Sequence, residues 1–367
     1  VSDTQSSAPP GRVVDAAGVP GAPVPDPAGP RPGPRAILRA PGLRAGGLLA
    51  AVLLLAAVAV AGLAVGAKPL PPGQAWHGLL DPDSAEYTVV HGMRLPRTLL
   101  GLLVGAGLGL AGAVMQALTR NPLADPGLLG INAGASAAVV TASSLLGVAT
   151  FAGYVWFALA GAAAVSVAVY AVGGGRAATP ARLALAGSAL NATLYSYVSA
   201  VMLLDTTSMD RMRFWTVGSL ADARPATVLK VLPFVAAGLL LALLTARPLN
   251  ALALGDEAAK ALGARPGAVR AAAIVAVTLL CGAATAACGP VVFVGLMVPH
   301  LVRALTGPDL RWLFPYCAVL APALFLGADV LGRLLGRPGE VQVGVVTAVL
   351  GGPFFLYFAR RGKAARA

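Results

Sequence analysis

From Gly46 onward the chain alternates long apolar runs with short polar breaks. The runs fall near 46–66, 97–118, 127–147, 150–172, 182–204, 225–246, 268–287, 289–305, 312–333 and 341–359. Most hold about twenty residues, which at about 1.5 Å per helical residue matches a hydrocarbon core about 30 Å thick. None alternates apolar and polar positions as a strand of a membrane barrel would. The pattern predicts an all-α, polytopic membrane protein with about ten transmembrane helices, the pair of runs meeting at Cys288 and Gly289 counted as two. Residues 1–45 contrast with the rest: they hold ten of the 29 prolines together with Arg12, Arg31, Arg35, Arg39 and Arg44. Such a mixture cannot bury enough surface to fold, so it reads as a disordered tail. The run that follows reads as a retained membrane helix, because its apolar core exceeds that of a cleaved leader. The membrane domain then spans 46–360, and 361–367 form a basic C-terminal tail.

Composition confirms the solvent as lipid. Of 367 residues, 57% are hydrophobic and 11% charged, against about a quarter charged in soluble domains. The 45 glycines suit helices that pack closely in a bilayer. The net charge of +12 lies in short loops and at the chain ends, with no basic helix interleaved with aromatics, so nucleic acid is excluded as a partner. An even number of spans puts both termini on one side. With the termini cytoplasmic, 18 Lys/Arg lie inside and 9 outside, together the 27 of the chain, as the positive-inside rule favours. The longest connections, 67–96 and 205–224 outside and 247–267 inside, are candidates for contact with partners.

Little in the spans points to covalent chemistry. No G-x-x-x-x-G-K-[ST] occurs; the glycines 173–175 lead to Arg176 and Ala177, which cannot hold phosphate and magnesium. Cys281, Cys288 and Cys317 lie in apolar stretches as packing residues, and His77, His91 and His300 have no second ligand at helical spacing, so no metal site is expected. Asp81, Asp83 and Glu86 read as loop solvation. Asp329 within the ninth span has two readings: a structural one, an ion pair with Arg333 one turn on or a cap on a neighbouring helix, and ion or proton coupling. Gly101, Gly105 and Gly109 recur every fourth residue, which allows close helix packing.

Four stretches together are specific. They are Arg94-Leu95-Pro96-Arg97; Met115-Gln116-Ala117 leading to Asn121-Pro122-Leu123-Ala124-Asp125-Pro126; Leu254-Gly255-Asp256-Glu257-Ala258-Ala259-Lys260-Ala261-Leu262-Gly263; and Phe293-Val294-Gly295-Leu296 with Val298-Pro299-His300, followed by Val343 to Thr347 and Gly351 to Phe354. The set resembles the FecCD family, permeases of ATP-binding-cassette (ABC) importers for iron siderophores, haem and cobalamin, from about residue 46 to the end.

The resemblance implies a ten-span fold that works beside a second permease, as a homodimer or with a paralogue. Two ATPase subunits lie below it and a substrate-binding protein above. It implies no catalytic residue and no cofactor on this chain, with ATP and magnesium held by the partner ATPases. It makes residues 250–267 the coupling helices, through Leu254, Gly255, Asp256, Glu257, Ala258, Ala259, Lys260, Leu262 and Gly263, with Asp256 where many relatives have Glu. It assigns Arg94, Arg97 and Arg333 to docking of the binding protein, where a planar guanidinium can take a carboxylate bidentately. Asn121 and Leu123 match a cytoplasmic gate; Thr179 stands where relatives can show a Ser/Thr run. Phe214 to Leu220 looks closer to siderophore permeases than to cobalamin ones, with haem or cobalamin as alternative cargo. The rival from another class is an ion-coupled secondary transporter working through Asp329.

Overall fold

The computed structural model describes residues 37–38, 40–66, 70–148, 151–175, 180–205, 213 and 215–364. Among them the regular structure is entirely helical. Ten long helices follow the ten runs: α1 Pro41–Ala64, α2 Leu95–Thr119, α3 Ile131–Leu146, α4 Phe151–Val172, α5 Pro180–Leu204, α6 Pro225–Ala253, α7 Pro266–Cys288, α8 Val294–Thr306, α9 Leu310–Leu335 and α10 Val343–Ala364. Thr179 and Phe214, like nearly all of the N-terminal tail, lie outside the described residues.

Six of these, α1, α2, α4, α6, α7 and α9, are long and apolar enough to cross a membrane alone. Helix α5 has the length, at 25 residues, but carries Ser188, Asn191, Thr193, Ser196 and Ser199. Helix α8 has only 13 residues, about 20 Å at 1.5 Å per residue. The run expected as a helix from 289 becomes helical only at Val294, because Gly289 and Phe293 have positive φ, 79° and 70°. Gly289 is needed there: a side chain would collide with the Trp215 carbonyl. Non-helical backbone inside a membrane protein requires internal partners. A neighbouring segment provides one at the edge of the break, Ser219 donating its N–H to Cys288 O at 2.7 Å.

The first helix starts at Pro41, inside the stretch expected to be tail. Proline is well placed in a first turn because its missing N–H has no intrahelical partner anyway. The segment is tied down besides: Leu38 donates to Leu305 O at 2.9 Å, Arg44 Nε to Leu38 O at 3.0 Å, and Tyr316 Oη to Arg44 O at 2.6 Å.

Helix α2 is the axis of the bundle, packed against α6, α7, α8 and α9. Its small residues make this possible. Gly101 faces Leu326, Gly105 lies on the Pro322 backbone, Gly109 meets Ala321 and the Cys317 carbonyl, and Gly112 touches the backbone of Gly295 on α8. In lipid, where no hydrophobic force draws helices together, such backbone proximity is the source of association.

Candidate functional site

Two polar clusters lie at opposite ends of α2. At its C-terminal end, α6 stops at Ala253, a short helix runs Asp256–Ala261, and α7 begins at Pro266. Two glycines make the turns: Gly255 at φ 112° and Gly263 at φ 81°, conformations closed to most side chains. Asp256 and Glu257 occupy the first turn and Lys260 the last, as the helix dipole favours. A helix this short does not stand alone; it is seated on α6 and α7 with Ala259 fully buried beneath it. Its far side is open. Leu254 and Leu262 are 70% and 66% exposed, flanking the solvent-facing Glu257–Lys260 pair at 2.7 Å.

Asp256 points elsewhere. Both its carboxylate oxygens accept from Arg270 Nη2 of α7 at 2.8 Å, and Arg120 Nη2 stands 3.6 Å away. Arg120 closes α2 in a left-handed conformation, φ 50°, and its guanidinium also donates to Leu252 O at the end of α6. The chain continues into Asn121, whose side chain accepts from Leu123 N at 3.0 Å. On the other side of this loop the His300 ring of α8 hydrogen-bonds to the backbone of Pro122. A cavity of about 160 Å³ opens between these elements, lined by Thr119, Arg120, Tyr170, Leu252, Asp256 and Arg270.

The bond from Arg270, with the charges of Arg270, Arg120 and Lys260 behind it, holds the Asp256 carboxyl below its usual range. A depressed carboxyl stabilises fully above its unfolded pKa, about 3.9, and loses that contribution as pH falls through the lower folded value. Any difference in melting temperature between the parent and Arg270→Met should therefore be the same at pH 7 and pH 5, closing only below about pH 4. A difference already closed at pH 5 would show that the carboxyl is not held this way.

At the other end of α2, Asp329 is almost fully buried between two arginines. Arg97 meets it through Nη2 at 2.7 Å and Arg333 through Nη2 at 2.9 Å. Arg97 also reaches Glu340 at 2.9 Å. Arg333 Nη1 donates to Gly62 O at 3.0 Å and to Val65 O, and Arg94 donates to Leu63 O at 2.6 Å and Ala64 O at 2.8 Å. The two side chains thus cap the C-terminus of α1, whose last carbonyls have no partner within the helix.

The three arginines expected to face a docking protein all make hydrogen bonds within the chain. Arg94 and Arg333 are buried and the Arg97 side chain is 14% exposed. The reason is local: the open carbonyls of α1 and the buried carboxylate of Asp329 compete for the guanidiniums and are within reach. Asp329 takes the first of its two readings, with Arg97 as a second cation. Asn121 and Leu123 stand exposed at the end that carries the short helix, so the positions expected for a gate and for coupling share one end. Arg120, Arg270 and Glu340 escaped sequence reasoning; a lone arginine at the margin of an apolar run carries no signal of its partner.

The chain is 47% identical over 304 residues to the ferric enterobactin transport system permease protein FepD of Escherichia coli (strain K12), covering 81% of this chain and 90% of that one. It is 41% identical over 280 residues to the Fe(3+)-citrate import system permease protein YfmD of Bacillus subtilis (strain 168), covering 76% and 84%. Its fold matches a solved metal-chelate type ABC transporter in an inward-facing conformation with a TM-score of 0.75 at 27% identity, over 86% of this chain and 99% of that one. A family model, that of the FecCD transport family, matches residues 53–361. With that span and these identities, the chain belongs to the FecCD transport family.

Proposed function

We propose that this chain is the membrane-spanning permease of an ABC importer that carries a ferric siderophore inward, working with a second permease, two ATPase subunits and an extracytoplasmic binding protein. The observation that carries the reading is the short helix Asp256–Ala261. A six-residue helix held between two left-handed glycines, with two leucines and an ion pair left in water, is a surface shaped for a partner. With both termini cytoplasmic this surface faces the cytoplasm, where the ATPase subunits bind ATP and magnesium. The chain has no phosphate-binding loop of its own. Siderophore is preferred as cargo because the 47% identical relative is named for ferric enterobactin.

The binding protein docks at the opposite end, around Arg97 and Glu340. Arg94 and Arg333 lie behind that surface and hold α1, α2 and α9 in register. Closure of the ATPases on ATP shifts the balance between two arrangements of the pathway.

The test is copurification of the ATPase subunits with the permease and ATP-dependent uptake of radiolabelled ferric enterobactin into proteoliposomes. Leu254→Asp combined with Glu257→Lys should lower both by roughly tenfold or more, as removal of central contacts does at protein interfaces. Undiminished ATPase retention would show that this surface is not the docking face. Uptake that survives ATP depletion but stops when ion gradients collapse would favour the secondary transporter.

A further inference from the structure

Within the short helix, adjacent acidic residues have different surroundings. Glu257 is 88% exposed at its side chain and pairs only along its own helix, with Lys260. Asp256 is held by Arg270 of α7 and lies beside Arg120 at the end of α2. Arg120 is in turn bonded to Leu252 O of α6, and the next residue, Asn121, begins the loop whose other flank His300 of α8 holds. Besides the packing of the short helix on α6 and α7, its one inward carboxylate thus reaches the ends of α7 and α2, and through Arg120 the start of the loop that α8 flanks.

We propose that Asp256, Arg120 and Arg270 form the linkage that transmits movement of the short helix to α2, α7 and the 121–126 loop. In this scheme Arg120 and Arg270 are positioning residues, and Asp256 is the arm by which the helix pulls on them. The proposal rests on the reading of this helix as the ATPase contact and adds what happens on its inner side. Physically, coupling between sites requires a contiguous set of contacts with more than one arrangement. The charges here are arranged for that. Each of the three side chains is between a third and a half exposed, so none is locked by burial, and a cavity of about 160 Å³ lies beside them. Arg120 has two acceptors, Asp256 and the Leu252 carbonyl, from different elements, and a shift of the short helix changes the balance between them.

The test reads the loop directly and does not depend on cargo. Cys281, Cys288 and Cys317 are buried, so Leu123→Cys offers a selective site for a maleimide added from the cytoplasmic side. In the assembled complex with its ATPase subunits, trapping with ATP and vanadate should change the labelling rate at position 123. Arg270→Met and Arg120→Met should reduce that change by roughly tenfold, in the range of typical coupling free energies, with the ATPase subunits still bound. Arg270→Lys, which keeps the charge opposite Asp256, should restore part of it, which a merely destabilised chain would not do. A labelling response in Arg270→Met and Arg120→Met equal to that of the parent overturns the linkage and leaves the docking reading intact. Loss of the ATPase subunits in both methionine variants but not in Arg270→Lys supports a linkage acting on docking geometry; loss in Arg270→Lys as well overturns it. If the unaltered complex recruits no ATPase and shows no response to ATP, the functional reading itself falls.

Discussion

Replacing Asp329 with alanine is expected to destabilise the permease by about 3–5 kcal/mol, the cost of leaving a buried charge without its partner. Asp329 is 1% exposed and accepts from two guanidiniums, those of Arg97 and Arg333. Without it, Arg97 keeps Glu340, but Arg333 is left with the neutral carbonyls of Gly62 and Val65 and with the positive charge of Arg97 nearby. Thermal unfolding of the purified chain in detergent should show the loss. The pattern across variants is more telling than its size. Arg333→Met should cost less than Asp329→Ala, because Asp329 retains Arg97. The double variant should cost less than the sum of the two singles, since removing both partners of a buried pair avoids the stranded charge. A chain with Asp329→Ala that unfolds at the temperature of the parent would mean the pair contributes nothing.

That cluster also shows where the sequence was readable and where it was not. The ten runs, the glycine face of α2 and the Leu254–Gly263 loop were legible because each is a local pattern: apolar length, a four-residue repeat, and glycines around an acidic first turn. The start of α1 was misplaced because Pro41 and Arg44 look like tail by composition, and what orders them is tertiary, the contacts of Leu38 and Arg44 with α8 and α9. The break at Gly289–Phe293 was hidden because its residues are as apolar as a helix; only the collision that a side chain at Gly289 would make with Trp215 reveals the bend. At the site, residue type allowed Asp329 to be paired with Arg333, four positions on. It could not supply Arg97, 232 positions away, or Arg270, 14 positions from Asp256. Long-range partners of charges are set by which helix ends converge, and that follows from packing.

The same limit applies to the glycines, and here it yields the second large effect. Gly101, Gly107 and Gly112 all lie on α2 and look alike in sequence, yet their surroundings order them. A methyl group at Gly107 would sit 3.4 Å from Leu280 O, an ordinary contact. Gly107→Ala should therefore be neutral or gain up to about 1 kcal/mol from helix propensity. At Gly101 the neighbour is the tip of the Leu326 side chain, which can change rotamer, so Gly101→Ala should cost about 1 kcal/mol. At Gly112 the methyl would overlap the carbonyl of Gly295, and no rotamer relieves a clash with backbone. Helices α2 and α8 must separate, so Gly112→Ala should cost about 3 kcal/mol, the upper end of overpacking penalties. Unfolding temperatures of the three variants should fall in that order. Equal values for Gly107→Ala and Gly112→Ala would show that the two backbones are not in contact. The consequence reaches the 121–126 loop, because α8 carries His300, which hydrogen-bonds to the backbone of Pro122. Pushing α8 away from α2 should loosen that loop, so Gly112→Ala should also raise maleimide labelling in the Leu123→Cys background without ATP, whereas Gly107→Ala should leave it unchanged.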